Sequence, residues 1–135
     1  MPTSRKTRKV AISSSKRGGL DDKCNLVFEQ CHTFTVVELE DGEVKNVEVV
    51  RNPGYQSGDC IGLIGILKRK GVDSILAGGM GRIAFKICND LGIGVYLGLK
   101  TVKVRASLES YLDNDFIPLT SAMVCNTILE KWSMW

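Results

Sequence analysis

Two groups of residues in this chain have types and spacing suited to chemistry. The first is the turn Gly78-Gly79-Met80-Gly81, with Arg82 directly after it. A glycine turn that opens a helix presents backbone N–H groups where the macrodipole favours an anion, and Arg82 adds a full positive charge there. The second group is Cys24, Cys31, His32 and Cys60. Thiolate and imidazole are ligands for zinc, copper or an iron–sulfur cluster. Cys60 falls in the first turn of a predicted helix, where the dipole stabilises the thiolate that binds metal. Each group also has a purely structural reading. The turn serves equally as a tight strand-to-helix connection, and Cys24 and Cys31 suit an interior as small hydrophobes. Cys88 and Cys125 lie on apolar helical stripes and read as core.

Other machinery is missing. No Gly-Lys-Ser/Thr follows the glycines at Walker A spacing, and their spacing does not fit the dinucleotide fingerprint. There is one histidine and no G-x-S-x-G elbow. Asp21, Asp22, Asp41, Asp59 and Asp73 are dispersed over caps and turns, which does not suggest two-metal catalysis.

The elements that must position these residues follow from periodicity. Lys9-Val10-Ala11-Ile12-Ser13 reads as a first strand, and residues 20–32 have no clean period. Residues 33–39 and 43–50 are β-rich, and Asp41-Gly42 between them predicts a type I′ hairpin turn. Ser57 or Asp59 caps a helix running to about Lys70, which Gly71 ends as a C′ glycine. Asp73-Ser74-Ile75-Leu76-Ala77 is the strand before the glycine turn. The helix after it, over 83–91, carries Ala84, Ile87, Cys88 and Leu91 as its core stripe. Gly92 closes that helix, and Gly94-Val95-Tyr96-Leu97-Gly98 is the next strand. This βαβ unit places the turn at the carboxyl edge of a sheet, where ligands bind. A third helix over 102–112 uses Val104, Leu108 and Tyr111. A fourth, over 118–135, would bury Val124, Cys125, Ile128, Leu129 and Trp132. The order predicts a mixed sheet with helices on its faces.

The 135 residues suit one domain with a real core, with 44% hydrophobic and 24% charged residues. The net charge of +3 is misleading. Without Arg5, Lys6, Arg8 and Lys9, 14 cations face 15 carboxylates, so a broad nucleic-acid face is not indicated. Residues 1–8 read as a basic, flexible tail. No apolar segment follows the basic start, and the apolar run over 60–67 is too short to span a bilayer. A cytoplasmic chain is expected, with its five cysteines as thiols.

An ordered set of residues resembles a known family. It comprises Leu20-Asp21-Asp22, Phe28, Phe34-Thr35-Val36-Val37-Glu38 and Asp41-Gly42-Glu43-Val44-Lys45-Asn46-Val47-Glu48, then Gly71-Val72-Asp73, Ala77-Gly78-Gly79-Met80-Gly81, Ala84-Phe85 and Gly92-Ile93-Gly94-Val95-Tyr96-Leu97-Gly98. Over about residues 9–112 the chain is similar to the dinitrogenase iron–molybdenum cofactor-binding family, which includes nitrogenase accessory proteins. The resemblance implies an α/β, ribonuclease H-like fold, a mixed five-stranded sheet with helices on both faces. It also implies binding or carriage of an iron–sulfur or iron–molybdenum–sulfur cluster rather than catalysis. The fold by itself does not carry nuclease activity. Gly79, Met80, Gly81 and Arg82 would cradle the cluster. The family's histidine-phenylalanine-glycine-arginine stretch is Val27, Phe28, Glu29 and Gln30 here, and Arg82 replaces its usual proline. Cys24, Cys31, His32 and Cys60 are then the alternative metal ligands. A cluster donor or acceptor protein is the expected partner. Residues 113–135 form an extension expected to be helical, and its Trp132 and Trp135 suit self-association. The competing reading is a cofactor-free interaction or regulatory module of the same fold.

Overall fold

The computed structural model describes residues 7–28, 31–52, 60–100 and 102–120, without the side chain of Cys60. In chain order the elements are β1 (Thr7–Ser14), β2 (Thr33–Glu40), β3 (Glu43–Arg51), α1 (Cys60–Arg69), β4 (Ser74–Ala77), α2 (Arg82–Asp90), β5 (Gly94–Leu97), α3 (Val104–Leu112) and β6 (Ile117–Pro118). The strands form one mixed sheet in the order β3-β2-β1-β4-β5-β6. β1, β4 and β5 are parallel, whereas β2 lies antiparallel between β1 and β3. β3 therefore points the same way as β1, and the carboxyl ends of β1, β3, β4 and β5 share one edge.

β1 is the central strand, and Val10, Ala11 and Ile12 are all fully buried. A continuous apolar run, rather than alternation, is what a strand covered on both faces requires. The side chains then divide by parity. Ala11, Phe34, Val36, Ile75, Ala77 and Val95 join α1 and α2 in one core, through Leu63, Ile64, Leu67, Ala84, Phe85 and Cys88. Val10, Ile12, Val37, Leu39 and Leu76 meet α3 in the other, through Val104, Leu108 and Tyr111. Helices thus cover both faces, as expected. The hairpin turn at Asp41 and Gly42 has φ of 54° and 84°, the left-handed pair that a type I′ turn demands. Gly71 and Gly92 end α1 and α2 at φ of 85° and 75°.

The structure differs from expectation at several elements. The sheet has six strands, not five, because Ile117–Pro118 pairs antiparallel with β5. Periodicity cannot reveal a two-residue strand, and Pro118 is tolerated because β6 is an edge. The N–H of Leu119 donates to the Val95 carbonyl at 2.8 Å, and Phe116 and Leu119 are buried. The folded unit therefore extends past Leu112 into the segment assigned to the extension. Thr7 and Arg8, expected in the tail, belong to β1, where they pair with Glu40 and Leu39. In α2, Phe85 joins Ala84 and Cys88 in the core, whereas Leu91 stays 36% exposed at the helix end. The candidate caps Ser57 and Asp59, the tail over 1–6, and the expected last helix beyond Thr120 with Cys125 lie outside the described residues.

Candidate functional site

The carboxyl edge is assembled by the loops that leave the parallel strands. The irregular segment after β1 folds back over the glycine turn, and Val27 bridges Gly79 in parallel register. The two glycines serve different ends. A Cβ on Gly78 would lie 2.8 Å from the Leu26 carbonyl oxygen and 2.9 Å from its Cβ, so this residue must be glycine for the loops to close. A Cβ on Gly79 would meet nothing within 4 Å, so the turn is open there. Met80 is buried and pins the turn to the α1/α2 core, which leaves only its backbone at the edge.

The start of α2 receives no side-chain cap from the described residues. Its N-cap, Gly81, has no side chain to bond, and the first backbone bond back to it comes from Phe85 at 3.0 Å. The N–H groups of Arg82, Ile83 and Ala84 find no acceptor among the described residues. α3 begins at the same edge with the opposite arrangement. Val104 and Arg105 donate to the carbonyls of Asp22 and Leu20 at 2.8 and 2.9 Å. One helix N-terminus is thus closed by carbonyls of the chain itself, and the other keeps its first donors and the positive end of its dipole unmatched by the described residues.

Charge gathers at this edge. Lys16 and Arg17 follow β1, Lys23 lies in the returning loop, and Arg51 ends β3. Arg82 begins α2, and Lys100 and Lys103 follow β5. All seven are exposed, and Lys23 and Lys103 are bridged backbone to backbone. Two described carboxylates stand among them. Asp21 pairs with Arg105 at 3.2 Å, and Asp22 accepts the N–H groups of Gly18 and Lys23, each at 2.8 Å. The opposite edge is mixed: Glu40, Asp41, Glu43, Asp73 and Asp113 lie there with Arg8, Lys9, Lys45, Lys68, Arg69 and Lys70. Whole-chain charge hid this local excess of cations at the carboxyl edge. The signal that reveals it is the charge of residues just beyond each strand's carboxyl end.

The soft ligands separate. Cys24 is 4% exposed, bridges Ser14 and shares a hydrogen bond with Ser107 Oγ at 3.2 Å in the α3 core. Burial pushes its thiol pKa up, against the Ser107 hydrogen bond, and Asp22 raises it further, so the neutral thiol is favoured over a ligating thiolate. Cys31 is fully buried in the other core. Its Sγ donates to the Phe28 carbonyl at 3.2 Å, beside the edge-to-face pair Phe28–Phe34. The sheet divides the two cores, so Cys24 and Cys31 do not converge as one ligand pair. The irregular segment between β1 and β2 has no period from which their opposite destinations could be read. His32 is half-buried just before β2, its carbonyl accepting the Asn52 N–H at 2.9 Å. Cys60 opens α1, whose other end leads through Gly71 into the start of β4, so its backbone lies at the carboxyl edge. Cys88 is fully buried, as expected. Among the described residues, no group of three or more His, Cys, Asp or Glu gathers as a metal site.

Comparison with known proteins places these features in a wider set. Residues 8–114 match the family described as dinitrogenase iron–molybdenum cofactor. An uncharacterised protein of Methanocaldococcus jannaschii, MJ0580, is 32% identical over 88 residues, 64% of this chain and 74% of that one. The crystal structure of PH0822 superposes with a TM-score of 0.70 at 27% identity, covering 82% of this chain and 96% of the other. The apo form of the orange protein from Desulfovibrio gigas gives a TM-score of 0.71 at 24% identity, over 84% and 97%, a likeness of fold.

Proposed function

Since this chain belongs to the dinitrogenase iron–molybdenum cofactor family, we propose that it holds an anionic metal–sulfur cluster as cargo at the carboxyl edge of its sheet. The cargo is of the iron–sulfur or iron–molybdenum–sulfur type, taken up or handed on during cofactor assembly rather than transformed. The observation that carries this reading is the start of α2, whose first N–H groups no described residue accepts, on an edge whose loops carry seven exposed cations. Fixed N–H groups offset a cluster's charge without reorganising. Gly79 and Gly81 let the backbone approach closely, Met80 anchors the turn from below, and Arg82 supplies the nearest full charge. The donor set suits an anion better than a bare cation, because the two buried thiols are committed to the cores. Cys60 at the head of α1 and His32 before β2 are the soft donors that the topology brings to this edge, and Cys60 is the favoured anchor.

The test is iron and acid-labile sulfide on anaerobically purified and reconstituted protein, with its visible spectrum. Stoichiometric iron and sulfide with charge-transfer bands are expected. Cys60→Ser and Arg82→Glu should each lower the content several-fold while thermal unfolding stays near that of the parent. Unchanged content in Cys60→Ser removes that residue from the site. Colourless protein that resists reconstitution ends the reading and leaves a cofactor-free interaction module of the same fold.

A further inference from the structure

Half of the large apolar side chains that stay exposed among the described residues stand at the carboxyl edge. They are Leu26, Val27, Ile61, Ile83 and Val102. Ile61 and Ile83 are the most exposed, at 66% and 69%, and they head two helices that pack side by side. The fold gains nothing from leaving aliphatic groups in water around its own glycine turn. An apolar centre with a charged rim is the anatomy of a docking surface. Here the rim is cationic whereas the opposite edge mixes cations with carboxylates, so an acidic surface is drawn to this edge.

We propose that the carboxyl edge docks a protein partner whose contact surface is acidic around an aliphatic centre, seated over the heads of α1 and α2. The inference rests on the cargo reading only for its purpose, the transfer of a cluster across the contact. The sign of the rim requires the acidic partner, and the five aliphatic side chains favour protein over nucleic acid. Single-stranded nucleic acid is gripped by aromatic rings on which bases stack, and none of the exposed large apolar side chains among the described residues is aromatic. Asp21 and Asp22 within the rim would also repel phosphates while leaving room for a partner's lysine or backbone N–H.

The test uses the full-length, metal-free protein and three probes of equal net charge: a helical peptide of glutamates around a leucine stripe, an all-polar glutamate peptide, and a single-stranded RNA. Binding is followed by anisotropy across a salt series, and the surface is mapped by amide shifts. The leucine-bearing peptide should bind roughly tenfold tighter than the other two, the worth of burying about one aliphatic side chain. Its shifts should fall on residues 16–27, 60–61, 82–84 and 98–103. Lys100→Glu with Lys103→Glu should slow association roughly tenfold and flatten the salt dependence. Ile61→Ser should speed dissociation and leave the salt dependence intact. Equal binding of both peptides reduces the edge to non-specific charge. Tighter binding of the RNA makes it a nucleic-acid face, and shifts elsewhere or no binding overturn the docking surface. Because no cluster is present, failure here leaves the iron and sulfide result untouched, and failure of that measurement leaves this one readable.

Discussion

At the scale of single residues, the same side-chain type has two fates set by what surrounds it. Cys24 and Cys31 are thiols in a family tied by name to a metal–sulfur cofactor, yet each is enclosed in a different apolar core. For Cys24 the enclosure has a measurable consequence. A thiol whose pKa is raised on folding keeps its proton longer in the native state than in the unfolded one. Stability is therefore full below the ordinary thiol pKa and falls as pH rises from there through the raised folded value. The slope is at most about 1.4 kcal/mol per pH unit for one group. Denaturant unfolding across this range should show that decline, and Cys24→Ser, which keeps a hydroxyl partner for Ser107, should flatten it. An identical decline in the variant would assign the effect to other groups. Cys24 should also resist thiol reagents until the protein unfolds.

At the scale of elements, the turn between β4 and α2 divides its work between neighbouring glycines. Gly78 makes room for the Leu26 backbone, and Gly79 faces open space. Gly78→Ala should cost about 1–3 kcal/mol, the usual penalty for overpacking against groups that cannot retreat. It should also displace the loop carrying Val27. Gly79→Ala should leave stability within roughly 0.5 kcal/mol, the scale of a surface change without a packing conflict. Chemical denaturation of the pair decides the matter, and equal losses would show that the turn acts as one steric unit. The elements legible from the sequence were those with a strong local signal: the Asp-Gly hairpin, the glycine-ended helices and the apolar runs of β1, β4 and β5. β6 was not among them. Its two residues are a strand only because β5 offers a free edge there, and its residues carry no period of their own.

At the scale of the molecule, Leu119 is the last buried residue among those described, and β6 ties it to β5. A chain ending at Thr120 should therefore still unfold cooperatively. Self-association through the segment beyond it is a separate proposal, resting on Trp132 and Trp135. Sedimentation of the full and shortened chains should give a concentration-dependent mass for the first and a monomer for the second. Equal, concentration-independent masses would exclude that segment as a dimer contact. The described part has no helix long and apolar enough to cross a membrane. Its more telling property is a local excess of charge, with seven exposed cations at the carboxyl ends of the parallel strands and a mixture of cations and carboxylates at the other end. Net charge close to neutral is compatible with a strong local field, because a cluster of like charges is not cancelled nearby by carboxylates spread over the rest of the surface.

Taken alone, the amino-acid sequence determined the period of each long element, the turn that requires two left-handed residues, and the βαβ unit that puts a glycine turn at a sheet edge. These are local properties, written into spacings of two, three and four residues and into backbone freedom at Asp41, Gly42, Gly71 and Gly92. Tertiary structure decided which face received Cys24 and which Cys31, that the start of α3 is closed by distant carbonyls, and that the cations share one edge. Those outcomes depend on residues far apart in the chain. Ser107 holds Cys24, the carbonyls of Leu20 and Asp22 close α3, and Arg51, Arg82 and Lys100 come to share one edge only once the parallel strands β3, β4 and β5 are aligned in one sheet. No local period encodes such meetings, because closing the intervening loops, not any one segment's preference, creates them.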